Sequence, residues 1–242
     1  MPKMNIMSPT LAIDTCFGAC SVALRLRGAD GNPQIREDYR EMATGHAEVL
    51  LPMIDALVRT SGLRLSDLSR LAVTIGPGSF TGARIGLSAV RGLKLALGLP
   101  VVTLSSLTVL AFRAETLLEG GVLGVARAGT TLVACMDARG GRIYAEAFGA
   151  SIAEPATPPQ LCAPADLAQA LRGRRIIAVG SGGHLLADAV TAAGGEAVAI
   201  LPQLQPHARH LALLADAAPL TLKLDPLYLR DADAKPMAVP AP

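Results

Sequence analysis

The 242-residue sequence predicts an α/β protein of two lobes, each built on a mixed sheet, and three observations carry that reading. Short alternating apolar runs fill the first forty residues or so. The apolar period then lengthens to that of helices separated by single buried strands. Near residue 130 the plan of the opening residues returns.

Taken in order, "TLAID" and "CSVALRL" read as strands around the turn-rich "TCFGA", and "QIREDYREM" reads as a third, more polar strand. Residues 44–61 read as a helix, "RLAVTI" as a buried strand, 79–97 as a helix, "PVVTLSS" as a strand and 107–119 as a helix. Three antiparallel strands followed by right-handed crossovers, βββαβαβα, make the half-domain of ribonuclease H-like and actin-like folds. "LVACMDARGGRIYAEAF" repeats the pattern of "LAIDTCFGACSVAL", so that Asp137 occupies the place of Asp14. A helix near residues 165–171, the strand "RIIAVG", a helix from His184, the strand "EAVAIL" and a helix from His207 complete a degenerate second copy. Residues 1–105 therefore form the expected first lobe and 106–242 the second, with the tail "DPLYLRDADAKP" free to pack back on the first. "EGGVLGVARAGT" is the hinge candidate, "SIAEPATPPQLCAP" a proline-rich loop, and "KPMAVPAP" a flexible end.

Composition excludes several classes. Apolar residues make up 51% against 17% charged, which suits a chain with a real core. No run of about 18 uncharged apolar residues exists, and the apolar stretch before Asp14 is short for a secretory signal, so a cytoplasmic protein without a membrane partner is expected. Cys16, Cys20, Cys135 and Cys162 form no C-x-x-C pair and are expected reduced, although Cys16 and Cys20 could face each other across a hairpin. The net charge is only +2 and there is no Trp, with three Tyr and four Phe. A base-stacking RNA platform is therefore not expected.

Chemistry has to be sought in the turns. "TIGPGSFTGARIGLSAVRGL" looks like a strand, a glycine loop and a helix, but Gly76, Gly78 and Gly82 are spaced one residue too widely for a dinucleotide fingerprint, and no phosphate-reaching lysine follows. The loop reads as a turn in which Ser79 caps the helix. Actin-like nucleotide enzymes place one carboxylate on each strand-turn-strand unit to position a metal and a water. Asp14 and Thr15 keep such a pair, whereas Asp137 is followed by Ala138 and Arg139, with Arg142 in place of a hydroxyl donor. An actin-like ATPase or small-molecule kinase using Asp14 and Asp137 is the alternative this leaves. Gly180, Gly182 and Gly183 form a glycine turn before a helix. His207 and His210 lack a third neighbouring ligand, so capping or exposed imidazoles are expected and no metal site is assigned. His46 and His184 stand alone.

Two helices carry more apolar surface than one sheet can cover. Val49, Leu50, Leu51, Met53, Ile54, Leu57 and Val58 exceed the roughly 100° stripe that packing on one surface needs, and Pro52 predicts a kink among them. In the next helix Gly82, Gly86, Ala89 and Val90 form a small-residue face suited to close helix approach, while Arg84, Arg91 and Lys94 share another. A protein partner is expected there.

The segments "LAIDTCFGACSVAL", "HAEVLLPMIDAL", "GPGSFTGARIGLSAVRGLKLALGLPVVTLSSL", "MDARGGRIYAEAF" and "DPLYLRDADAKP" closely resemble the bacterial TsaB family, also called YeaZ. The resemblance implies a two-lobed actin-like fold and a role in making N6-threonylcarbamoyladenosine at position 37 of ANN-reading tRNAs. In that role the chain would be the non-catalytic dimerisation partner of the catalytic subunit TsaD, working with the ATPase TsaE and forming a homodimer when alone. Contact with tRNA would be indirect, through the complex. The H-x-x-x-H metal pair of TsaD corresponds here to Ser106 and Leu110, neither of which replaces an imidazole; this also argues against an older metallopeptidase reading of related sequences. Family usage implies that His46, Val49, Leu50, Met53, Ile54, Leu57, Gly82, Ile85, Gly86, Ala89, Val90 and Leu93 bind the partner. Asp14, Thr15, Gly76, Gly78, Asp137, Gly182 and Gly183 would be a vestigial nucleotide site, with no cofactor of the chain's own and with ATP or ADP allowed at the subunit junction.

Overall fold

A computed structural model describes residues 9–28, 31–121 and 124–230. The first sheet has the order β3-β2-β1-β4-β5, from β1 (Thr10–Asp14), β2 (Ala19–Arg27), β3 (Pro33–Glu41), β4 (Arg70–Thr74) and β5 (Val101–Leu104). β1, β2 and β3 pair antiparallel, and β4 and β5 add in parallel. The second sheet, β10-β9-β6-β7-β8, repeats this pattern with β6 (Thr131–Asp137), β7 (Ile143–Phe148), β8 (Gln160–Cys162), β9 (Arg175–Val179) and β10 (Glu196–Ile200). Asp14 and Asp137 each end the first strand of their repeat. The fold is thus a duplicated actin-like, ribonuclease H-like α/β fold.

The helices follow the repeat as well. α1 (His46–Thr60) and α2 (Phe80–Leu97) correspond to the shorter α4 (Pro164–Ala170) and α5 (Gly183–Ala192). α3 (Ser106–Glu119) and α6 (Ala208–Leu214) close the two halves. α1 runs as one helix through Pro52, and α2 begins where the Ser79 side chain accepts the Gly82 amide at 2.9 Å and ends at Gly98, whose φ of 67° suits glycine. The proline-rich loop hides one element: β8 is three residues long and sits between Pro159 and Pro164, so no alternation marks it.

The closing helices cross over. α1 and α2 cover one face of the first sheet through Leu50, Met53, Ile54, Leu57, Leu87 and Val90, while α6 covers its other face against Ala12, Ala23 and Ala72. α3 packs on the second sheet through Leu107, Leu110 and Ala114, and α4 and α5 cover the opposite face. Residues 208–227 thus pack with the first lobe although the chain order places them after the second sheet. Among the described residues no helix is long and apolar enough to cross a membrane, and all four cysteines are free. The hinge candidate falls partly on residues 122–123, and "KPMAVPAP" wholly, outside the described residues.

Candidate functional site

The glycine loop that opens α2 does not present its amides to a ligand. It lies on the turn after β1: Ser79 N–H donates to the Cys16 carbonyl at 2.7 Å, and a Cβ on Gly78 would come within 2.3 Å of that oxygen. Gly76 takes a φ of 101° and abuts the Leu227 carbonyl. Thr15 is buried, and its hydroxyl is fully engaged, donating to the Gly82 carbonyl at 2.7 Å and accepting the Gly86 amide at 3.1 Å. A Cβ on Gly82 would stand 2.1 Å from the Thr15 carbonyl oxygen, and one on Gly86 2.7 Å from its hydroxyl. Gly82 and Gly86 therefore let α2 approach the turn after β1. This corrects the expectation that Gly82 and Gly86 admit a partner helix.

Asp14 is only 1% exposed and accepts a short hydrogen bond from the Thr74 hydroxyl. Burial pushes its carboxyl up to about 6, which hydrogen bonds from Thr74 and the Cys16 amide offset only in part. The Cys16 thiol points at Thr74. A carboxylate so enclosed reaches neither metal nor water in the cleft, and the expected Asp14 and Thr15 pair is thus sealed inside the first lobe.

On the second lobe Asp137 is exposed, and its Oδ1 accepts the Arg139 amide at 2.7 Å. Gly182 and Gly183 are tucked under β6 and β9: a Cβ on Gly182 would meet Ile143 at 2.9 Å, and one on Gly183 would meet the Ala178 carbonyl at 3.0 Å. Between the lobes lies a cleft of about 610 Å3, lined in part by Gly78, Ser79, Asp137, Arg139, Tyr228 and Arg230. Of the residues expected to hold a nucleotide, only Gly78 and Asp137 line it; Asp14, Thr15, Gly76, Gly182 and Gly183 do not. Arg142 turns away to the Leu161 carbonyl. Ser106 and Leu110 are fully buried, with the Ser106 hydroxyl donating to the Pro77 carbonyl.

The partner-binding set divides. Met53, Ile54, Leu57 and Val90 are buried in this chain's own core, packed with the first sheet. Val49 and Leu93 are half-buried against the same core, and His46 is 6% exposed with its Nε2 on the Phe17 carbonyl at 3.2 Å. Ile85 and Ala89 do line a groove of about 560 Å3 between α1 and α2, floored by Leu50. Its accessible wall includes residues outside the expected set: Leu51, 59% exposed, Phe80, 46% exposed, with Ala47 and Arg84. The apolar surplus read from α1 thus resides in Leu51 rather than in its core-facing neighbours.

Other buried ionisable groups lie away from both cavities. His207 caps α6 by accepting the Arg209 amide at its Nδ1, stacks on Tyr39 at 4.6 Å, and is held down to about 4, chiefly by burial. His210 meets Phe112 edge-on and is held down to about 3 for the same reason. Glu146, 4% exposed, accepts from Thr108 on α3 and is pushed up to about 7 by burial. No three His, Cys, Asp or Glu side chains gather as a metal cluster among the described residues.

Similarity to known proteins agrees with this architecture. The family model for TsaD, tRNA N6-adenosine threonylcarbamoyltransferase, matches residues 40–219. The tRNA threonylcarbamoyladenosine biosynthesis protein TsaB of Haemophilus influenzae is 38% identical over 135 residues, 55% of this chain and 51% of that protein. Its Escherichia coli namesake is 37% identical over 134 residues, 55% of this chain and 52% of that protein. The chain therefore spans about half the length of the curated relatives it matches. The solved structure of YeaZ from Pseudomonas aeruginosa aligns with a TM-score of 0.74 at 31% identity, covering 92% of this chain and all of that one. With a solved YeaZ chain matched from end to end, and the same duplicated sheets beneath it, this chain belongs to the TsaB (YeaZ) family.

Proposed function

We propose that the chain is a non-catalytic subunit in the synthesis of N6-threonylcarbamoyladenosine in tRNA, supporting threonylcarbamoyl transfer by a TsaD-type catalytic subunit. The observation that carries this reading is the sealing of the first lobe's carboxylate and hydroxyl: Asp14 Oδ1 accepts from Thr74 while Oδ2 is buried without a partner, Thr15 spends its hydroxyl on α2, and neither residue lines the cleft. The groove between α1 and α2 supports a role in assembly, since Leu51 and Phe80 leave apolar surface that a second chain would cover. The same groove serves a second copy when the catalytic subunit is absent. A TsaE-type ATPase and the tRNA engage the assembled complex, and ATP or ADP binds at the subunit junction rather than in this chain alone.

The experiment is reconstituted modification of unmodified tRNA with threonine, bicarbonate, ATP, the threonylcarbamoyl-adenylate synthase, TsaD and TsaE, with and without this chain. Modification that depends on the chain and survives Asp14→Asn and Asp137→Ala supports the scaffold. Full modification without the chain overturns it. A second reading, an actin-like ATPase, draws on Asp137 and Arg139 facing the cleft; tight ATP binding by the isolated chain, lost in Asp137→Ala, would favour it.

A further inference from the structure

Two arginines of the basic stripe of α2 are tied to the C-terminal segment of the described chain. Arg84 Nε donates to the Tyr228 hydroxyl, and its guanidinium lies 3.6 Å from the centre of the Phe80 ring, which itself stacks on Tyr228 at 5.2 Å. About two turns further on, Arg91 holds the Leu224 carbonyl and stands 3.5 Å from Asp225. These contacts fasten an extended segment. It starts on the edge of β5, where Thr221 N–H donates to the Val101 carbonyl, sinks Leu224 into the first core, and ties Leu227 N–H to the Ile75 carbonyl at 2.7 Å. It ends on the second lobe, where Arg230 reaches the Ala138 carbonyl at 3.2 Å. Residues 220–230 are therefore a strap across the cleft, and Phe80, Arg84 and Tyr228 are its clasp.

Two members of the clasp, Phe80 and Arg84, also wall the α1–α2 groove, while Tyr228 lines the cleft. Arg84 is the one charged side chain lining that groove, beside Ala47, Leu51, Phe80, Ile85 and Ala89. Among the described residues its polar partner is a neutral phenol, and no carboxylate pairs with it. A guanidinium binds a carboxylate more strongly than a phenol, and more so once an apolar surface has displaced the water around it.

We infer that the groove receives an apolar helix carrying a carboxylate, that this group pairs with Arg84, and that docking draws Arg84 off Tyr228 and loosens the strap over the cleft. The inference rests on the partner-binding reading above and gives the chemistry of the surface that fits. A partner bound on one side of α2 thereby alters access to the cleft on the other.

The test titrates the full chain with the TsaD-type subunit and follows hydrogen exchange of the strap amides. Expected are a loss of affinity of about tenfold or more in Arg84→Gln with a flatter salt dependence, and partial rescue in Arg84→Lys. Tyr228→Phe, which keeps the ring stack and removes the competing hydroxyl, should bind a few-fold more tightly, and Leu227 N–H should exchange faster in the wild-type complex than in the free chain. Arg84→Gln binding like the wild type while Leu51→Glu does not would overturn the carboxylate contact and leave the groove reading standing. Leu51→Glu binding normally would instead overturn the partner-binding reading itself. Unchanged exchange at Leu227 in a wild-type complex would overturn the release of the strap.

Discussion

Substituting alanine for glycine at two positions of α2 should move stability in opposite directions. A Cβ at Gly82 stands 2.1 Å from the Thr15 carbonyl oxygen and 2.5 Å from Ser79 Oγ, whereas an ordinary carbon-oxygen contact is about 3.3 Å. The backbone must therefore retreat by about 1 Å. That movement breaks the bonds Thr15 makes to the Gly82 carbonyl and the Gly86 amide, each worth about 1 kcal/mol net. Overpacking adds about 1–3 kcal/mol, and the better helix propensity of alanine returns about 1 kcal/mol. Gly82→Ala should thus lose about 2–4 kcal/mol, lowering Tm by about 5–15 °C for a chain of this size. Gly92 lies on the same helix with nothing within 4 Å of its would-be Cβ, so Gly92→Ala should gain about 0.5–1 kcal/mol. Thermal and urea unfolding followed by circular dichroism read both. Equal shifts in the two variants would refute the close approach of α2 to the turn after β1.

Three further outcomes follow. Leu51→Glu should leave Tm nearly unchanged while abolishing co-elution with the TsaD-type subunit on a sizing column, whereas Met53→Glu, at a position 0% exposed, should unfold the chain. Asp14 keeps its proton in the folded chain to about pH 6 but loses it near 3.8 when unfolded, so its contribution to stability falls by about 3 kcal/mol as pH rises through that window. Asp14→Asn should remove this fall, seen as a smaller difference in urea midpoints between pH 4 and pH 7, with tRNA modification intact. His210 has the opposite sign: below pH 6.5 the unfolded chain takes a proton that the folded chain refuses down to about 3, costing about 2 kcal/mol at pH 5. His210→Phe should therefore compare better with the wild type at pH 5 than at pH 7.5 in the same measurement.

Periodicity made the order of elements legible apart from β8, because alternating runs such as "CSVALRL" and 3.6-residue runs such as "HAEVLLPMIDAL" differ in which neighbours share a face. The internal repeat was equally plain, with Asp14 and Asp137 at matching strand ends. What the sequence leaves open is what approaches a face from elsewhere in the chain. A stripe of Gly82 and Gly86 announces a close approach but not that Thr15 makes it, and the surplus on α1 does not say that Leu51 is the residue left uncovered. The contacts of Arg84 and Arg91 were not legible because their partners lie more than a hundred residues away, at Leu224, Asp225 and Tyr228. Cys16, by contrast, lies next in sequence to Thr15, yet only folding shows that the loop of residues 76–79 closes over Cys16 and the start of α2 over Thr15.

The exchange of closing helices between the halves bears on how the chain matures during translation. β1, β2 and β4 emerge early from the ribosome, yet Ala12, Ala23 and Ala72 on one face of their sheet stay uncovered until Ala208, Leu211 and Ala212 arrive. The first half cannot complete itself while the second is still being made, so the nascent chain carries an open apolar sheet through most of its synthesis. Its two halves must then mature together, and chaperone engagement should persist until α6 has left the exit tunnel.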